Sequence, residues 1–369
     1  MGVTIRLPGH QDESSGVVRS TWWLAANALW QPRRPGSGAV FRLFVAAMFA
    51  CSGCSTVRHL RAKHYVHSGS ALLGEQDLEA ALVEFQTAAE LDPQLAIAHS
   101  NLGVIYKRMG DYEQAVESFL TAIRLDPFSF DDTLNLAKLY HFMNRLKDAI
   151  QVYLHAVDLK PDDFDSQLNL GVCYQQIGDY AQAVERFQAA IAVDADRPHA
   201  YVNLAVALDA QKKYYEAIRA YKEALERDNH QPLVLVNLAQ TYMNQDRLKM
   251  GRNALEQALH MDPSLAAAHE ALGYCHFRMK DYNGAEHSYS QALECDPQLP
   301  GAHSGLGCIN MLRFLADQSH TAFRDRAIER WHRSLELNPD QPRIRNLIAR
   351  YKPAHDDPED TLLNERANP

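Results

Sequence analysis

The sequence is poor in the features that mark specialised classes of protein. Six cysteines in 369 residues are too few for a disulfide scaffold. No apolar run reaches the length of about 18 residues that a membrane-spanning helix needs. No glycine-rich phosphate loop, nucleophile elbow or zinc motif is present, so no residue is assigned to catalysis, a cofactor or a metal. A net charge of −9 gives the chain no reason to bind nucleic acid.

A period of 34 residues is the strongest feature that the chain does have. Prolines recur at this interval or at three times this interval, at Pro93, Pro127, Pro161, Pro263 and Pro297. The seventh position of the repeating unit is leucine, at Leu102, Leu136, Leu170, Leu204, Leu238, Leu272 and Leu306. The twentieth position is alanine, at Ala81, Ala115, Ala149, Ala183, Ala217 and Ala285. The twenty-fourth position is aromatic, at Phe85, Phe119, Tyr153, Phe187, Tyr221 and Tyr289.

These columns resemble the tetratricopeptide repeat, a helix-turn-helix unit of 34 residues. The resemblance extends over residues 62–339 and gives about eight repeats. It implies an all-α fold, a right-handed superhelical solenoid in which the first helix of each repeat, helix A, lines a concave surface. Residues 340–352 fit a C-terminal capping helix, apolar at Ile344, Leu347 and Ile348 and basic on its other side. Residues 353–369 are expected to form a disordered tail.

The joints between helices carry their own signals. The tripeptide Gly-Asp-Tyr at Gly178 predicts a left-handed glycine after helix A and an aspartate N-cap for the second helix, helix B. The Asp-Pro pair between repeats predicts Asp92 as an N-cap and Pro93 as the first residue of the next helix. Inside helix A, Gly103 predicts a close approach of helix B, with Phe119 filling the space beside it.

The last repeat is longer than the others. From Pro297 to Pro339 the chain advances by 42 residues, eight more than the period. Eight residues divide into about one extra turn on each helix, which keeps both apolar faces in phase. The sequence therefore predicts a longer helical hairpin in repeat eight, and an idle surface insertion is the alternative.

Asparagine occupies the sixth position of five consecutive repeats, at Asn101, Asn135, Asn169, Asn203 and Asn237. We call these five residues the asparagine row. The array resembles the superhelix of the O-linked N-acetylglucosamine transferases, in which a similar row holds the backbone of an extended peptide. A side-chain amide offers one acceptor and two donors, so it can pair with a peptide group as another backbone would. Stacked repeats advance by about 10 Å, which an extended strand covers in about three residues. The alternative is that the asparagines brace adjacent A helices.

Positions five and nine of the same repeats complete the predicted groove. Its further members are Leu134, Lys138, Leu168, Val172, Val202, Val206, Val236 and Gln240. A groove of this largely apolar character should prefer an extended, partly apolar segment. The two-lysine carboxylate clamp of some chaperone-binding relatives is poorly matched, because Lys138 is the only basic residue among these positions.

Residues 41–54 resemble a bacterial lipoprotein signal, with Arg42 before a short apolar run and small residues before a cysteine. Cys54 is the predicted lipidation site. Cys51 is the weaker candidate, since the bulky Phe49 lies two residues before it. The signal does not stand at the start of the sequence, so residues 1–40 are expected to be a disordered leader or to precede the true translation start.

Together these features predict a non-catalytic scaffold that binds an extended segment of a protein or peptide partner in the concave groove. A lipid anchor would tether it to a bacterial membrane in the cell envelope, where it would assist assembly of a larger complex. No cofactor, metal, nucleic acid or small-molecule substrate is predicted. The alternatives are a cytoplasmic tetratricopeptide adaptor or co-chaperone, and an accessory subunit of a glycosyltransferase-type enzyme.

Overall fold

The computed structural model describes residues 38–352, with side chains from residue 55 onward, and all regular secondary structure in this range is helical. The chain divides into two compact units, residues 1–95 and residues 96–369. The described part of the first unit holds two packed helices, α1 (Gly38–Gly74) and α2 (Leu78–Leu91).

The described part of the second unit, residues 96–352, contains seven further helical pairs and one closing helix. Their bounds are α3 (Ala96–Met109), α4 (Tyr112–Leu125), α5 (Phe130–Phe142), α6 (Leu146–Leu159), α7 (Phe164–Gln176), α8 (Tyr180–Val193), α9 (Pro198–Ala210), α10 (Tyr214–Arg227), α11 (Pro232–Asn244), α12 (Leu248–Met261), α13 (Ala266–Arg278), α14 (Tyr282–Cys295), α15 (Pro300–Ala316), α16 (Thr321–Leu337) and α17 (Pro342–Tyr351). The odd-numbered helices α3 to α15 are A helices, and the even-numbered helices α4 to α16 are B helices.

The packing within the second unit confirms the tetratricopeptide solenoid. Each B helix packs against the A helix of its own repeat and against the A helix that follows. Consecutive A helices of repeats four to eight also touch one another, whereas the B helices make their main contacts with A helices. The A helices therefore lie on the inner side of the array, as the superhelix requires.

Glycine at the eighth position allows helix B to approach closely. A Cβ at Gly103 would lie 2.8 Å from the ring of Phe119, and one at Gly171 would lie 2.6 Å from the ring of Phe187. Both rings are completely buried. The predicted pairing of a glycine with an aromatic side chain is confirmed, and it explains why a helix accepts a residue that costs about 1 kcal/mol relative to alanine.

The turn between helices A and B is left-handed, as predicted, with φ of +83° at Gly178. Most of the equivalent turns, however, lack glycine and hold another residue at positive φ, namely Gln76, Asn144, Lys212, Asp246 and Lys280. The amide after the left-handed residue bonds back into helix A, as in Asp179 N–H to Tyr174 O at 2.9 Å. These bonds hold a conformation that costs a residue such as Lys212 about 1–2 kcal/mol.

Helix capping agrees only in part with the sequence signals. Asp179 caps helix B as predicted and accepts the Gln182 N–H at 3.2 Å. Asp111, the aspartate of a second Gly-Asp-Tyr at Gly110, makes no such bond. The prediction for the Asp-Pro pair is wrong. Asp92 is the C-cap of α2, and Pro93 lies in a turn before Ala96.

The aspartate of the Asp-Pro pair acts instead within the loop. The carboxylate of Asp92 accepts the N–H of Gln94, two residues on, at 3.1 Å. The same bond recurs at Asp126, Asp194, Asp228, Asp262, Asp296 and Asp317. Aspartate favours this turn as strongly as an N-cap, and proline suits a turn as well as a helix start, so the dipeptide alone cannot separate the two.

Repeat eight forms the predicted longer hairpin. Helices α15 and α16 have 17 residues each, compared with 13 or 14 in the preceding pairs. Trp331 is buried between them, and its Nε1 donates to Ser304 O at 3.3 Å. Helix α17 covers this end as the predicted cap, with Ile344 and Ile348 buried against Trp331.

The N-terminal predictions mostly fall where the structure gives no side chains. Residues 41–54 belong to the backbone of α1, but the side chains of Cys51 and Cys54 lie outside the described residues. The predicted leader lies outside them up to residue 37, and the predicted tail lies outside them entirely. Among the described helices, α1 included, none has both the length and the hydropathy to cross a bilayer. The cysteines with described side chains, Cys173, Cys275, Cys295 and Cys308, are free thiols.

Candidate peptide-binding groove

The asparagine row places one residue on each of five consecutive A helices, α3, α5, α7, α9 and α11. Four of the side chains are half-buried, and that of Asn237 is exposed. Asn169 Nδ2 donates to Asp165 O of its own helix at 2.7 Å. Within the described part of the chain, the other four side chains make no hydrogen bond. Their donors and acceptors are therefore free for a ligand.

Other residues connect neighbouring A helices. Ser100 Oγ donates to Asp132 Oδ1 at 2.5 Å, which joins α3 to α5. His141 Nε2 lies 3.2 Å from Gln176 Oε1, which joins α5 to α7. These contacts stand at other positions of the repeat. Among the described residues, therefore, no hydrogen bond from an asparagine of the row joins one A helix to the next.

The predicted apolar members of the groove are half-buried, so each presents part of its side chain to the core and part to the surface. They are Leu134, Leu168, Val172, Val202, Val206 and Val236. Lys138 is half-buried as well. Gln240 is exposed and donates to Asn244 Oδ1 at 3.0 Å. The face thus combines a row of amides with flanking aliphatic surface, which suits a chain with a polar backbone and apolar side chains.

A pocket of about 640 Å³ opens where the asparagine row ends. The sixth position, asparagine in repeats two to six, becomes Ala271 in repeat seven and Gly305 in repeat eight. The lining also includes Val236 and Gln240 of the predicted groove. We call this cavity the row-end pocket, and its remaining walls are Ala267, Glu270, Tyr274, Phe277, Tyr289, Gly301, Ser304, Cys308 and Arg343.

Sequence reasoning missed this pocket. Its signal is the loss of bulk at the second, fifth, sixth and ninth positions of repeat eight, which are Gly301, Ser304, Gly305 and Cys308. A column-by-column comparison could have found that signal. The contribution of Arg343 could not have been found in this way, because the residue belongs to α17 and lies outside the period.

Glu270 is the acidic group of the row-end pocket. Its side chain is half-buried, and a Cβ at Gly301 would collide with its carboxylate oxygen. Burial raises the pKa of Glu270, the nearby charge of Asp296 adds to the rise, and the backbone N–H of Ala302 opposes it. Within the described part of the chain, no basic side chain forms an ion pair with this carboxylate.

The other charges near the pocket differ in their surroundings. Arg343 is exposed at the rim. Arg278 lies beside Tyr274, donating to its hydroxyl at 3.3 Å, and it is held by Asp246 at 2.9 Å. Of the charges placed by the described residues, Glu270 is therefore half-buried without an ionic partner, whereas Arg278 is paired and Arg343 is in solvent.

The described residues contain no group of three or more histidine, cysteine or acidic side chains arranged to hold a metal. Burial raises the pKa of the Cys173 thiol to about 12 and also raises that of Cys308 in the row-end pocket. A thiol with a raised pKa is a poor nucleophile near neutral pH.

Comparison with known proteins agrees with the helical repeats. Residues 44–306 match the family model described as the cilia and flagella-associated protein 70 C-terminal domain, a tetratricopeptide-repeat model. No curated protein matches the chain significantly.

Solved structures share the fold at low sequence identity. The C-terminal part of a tetratricopeptide-repeat protein from Cytophaga hutchinsonii aligns with a TM-score of 0.56 and 18% identity, over 65% of this chain and 99% of that chain. The Cut9-Hcn1 hetero-tetramer of APC/C aligns with a TM-score of 0.51 and 16% identity, over 75% of this chain and 53% of that chain. The pilF protein of Pseudomonas aeruginosa aligns with a TM-score of 0.46 and 22% identity, over 58% of this chain and 97% of that chain.

Proposed function

We propose that this chain, which belongs to the tetratricopeptide-repeat family of the cilia and flagella-associated protein 70 C-terminal domain, holds an extended peptide segment of a partner protein against its asparagine row. The fold is typical of protein-interaction scaffolds, and we assign the chain no reaction of its own. The observation that carries the proposal is that four of the five row amides have no hydrogen bond among the described residues and lie beside half-buried aliphatic side chains.

The spacing of the row fits an extended strand. Four intervals of about 10 Å separate its ends, so the row covers about 40 Å, or roughly 12 residues at 3.3 Å each. Each amide can donate to one backbone carbonyl and accept from one backbone N–H. Because these bonds involve the peptide backbone, the row should bind many sequences, and the flanking apolar side chains should favour partly apolar ones.

Replacing Asn135, Asn169 and Asn203 together by alanine tests this proposal. A net loss of about 1 kcal/mol per amide gives about 3 kcal/mol, which weakens the affinity for a bound peptide about 100-fold. The ligands are 15-residue peptides selected from a displayed random library against the wild-type chain. Their dissociation constants are then measured by fluorescence polarisation with both proteins.

A matched control removes three exposed amides from B helices, Gln151, Gln188 and Asn253. This control should bind the selected peptides as the wild type does. Both triple variants should keep the helical circular dichroism, because alanine is the better helix former. Equal affinity of a folded row variant and the wild type would reject the proposal, and so would a library that yields no binder.

Membrane attachment is a second part of the proposal, and it rests on the lipoprotein-like pattern of residues 41–54. A diacylated cysteine would give a stable anchor without a spanning helix, and it would let the groove assist assembly of a complex at the membrane. In a bacterial host given radiolabelled palmitate, Cys54→Ala should remove the label and release the protein from the membrane fraction. Cys51→Ala should keep both, and a mature protein that retains residue 22 would contradict the proposal.

A further inference from the structure

The row-end pocket continues the line of the asparagine row. Its walls at the sixth position, Ala271 and Gly305, succeed Asn237 on the next two A helices. A strand that follows the row therefore leaves the asparagine side chains and reaches a pocket that is lined at this position by small residues. At this point a side chain of the strand, instead of its backbone, has space to enter the array.

We propose that the row-end pocket receives a lysine or arginine side chain of the bound segment, with Glu270 as its ion-pair partner. This inference rests on the proposed function, because it assigns one specific contact to a segment that the asparagine row holds. It also changes the expected partner, from any partly apolar segment to one with a basic residue at a fixed place.

Charge complementarity favours a basic occupant. The Glu270 carboxylate is half-buried, stands against the first turn of α15 and has no ionic partner among the described residues. A partly desolvated charge gains more from an added counter-charge than an exposed one does. Arg343 is exposed at the rim, so water and salt screen its repulsion of an incoming cation.

The shape and lining of the pocket fit a long side chain. Its volume of about 640 Å³ exceeds what one aliphatic stem fills, which leaves room for water around a charged head. Tyr274 and Phe277 provide aromatic surface for the stem or for a cation. The buried ring of Tyr289 closes the floor beneath Gly305.

The test uses the full chain and a displayed library of random 15-residue peptides. Selection against the wild type should enrich peptides that share a lysine or arginine at one position. Glu270→Gln should weaken the affinity for these peptides about tenfold or more, and the same peptides with glutamine at that position should bind the wild type and Glu270→Gln equally. Arg343→Gln should raise the affinity a few-fold at low salt, because it removes a like charge from the rim of the pocket.

Several results would overturn the assignment. One is a set of binders without a common basic position. The others are a basic preference that Glu270→Gln leaves intact, and an enrichment of acidic residues that Arg343→Gln abolishes. The glutamine-substituted peptides keep the test valid if a protein variant misfolds. The row variant separates the two proposals, because row-dependent binding without a basic preference removes this inference and leaves the proposed function standing.

Discussion

Phe187→Ala should lower the free energy of unfolding by about 3–5 kcal/mol, the usual cost of removing a large buried aromatic side chain. The ring of Phe187 is fully buried and fills the space beside Gly171, between helices α7 and α8. Urea denaturation followed by circular dichroism measures the loss.

The matched control is Phe128→Ala, whose side chain is 82% exposed in the loop between α4 and α5. This variant should change the stability by no more than about 0.5 kcal/mol. Since repeats contact mainly their neighbours, hydrogen exchange in Phe187→Ala should accelerate in α7 and α8 more than in α15 and α16. Equal losses in both variants, or a uniform acceleration, would show that the ring does not anchor its repeat.

The same column of the repeat shows how far the sequence alone could lead. The period correctly predicted the contact of Gly103 with Phe119, the pair equivalent to Gly171 and Phe187, because glycine inside a helix is explained by a close contact. It could not place the left-handed residues such as Lys212, whose conformation is imposed by the hydrogen bonds of the turn. It misplaced Asp92, because an N-cap and a loop turn use the same aspartate chemistry.

The sequence was likewise enough to find one part of the candidate site, the asparagine row, and not the other, the row-end pocket. The asparagine row occupies the same position in five consecutive repeats, so the sequence alone was enough to find it. The row-end pocket depends on bulk missing from α15 and on Arg343 of α17, which the period does not relate to α11. That no described residue forms an ion pair with Glu270 is also a three-dimensional fact, since the sequence contains many arginines that could have supplied one.

Gly171→Leu should destabilise the chain by about 3 kcal/mol or more, because the new side chain meets a packed ring. A single Cβ at Gly171 already lies 2.6 Å from the Phe187 ring and 3.2 Å from the Cβ of Arg186. Overpacking by a few methylene groups typically costs about 1–3 kcal/mol, and leucine adds four carbons. The gain of about 1 kcal/mol in helix propensity is too small to offset this. Gly74→Leu is the matched control, since a Cβ there has no neighbour within 4 Å.

The double variant Gly171→Leu with Phe187→Ala decides whether contact between the two side chains is the cause. The leucine then occupies volume that the ring has left, so the double variant should be more stable than Phe187→Ala alone. The coupling between the two substitutions, obtained from a double-mutant cycle in urea, should be at least about 3 kcal/mol and favourable. Additive losses would instead mean that glycine is needed for the backbone of α7 itself. The aromatic column would then owe its place to burial alone, and the helices of each repeat would approach for a reason other than the missing side chain.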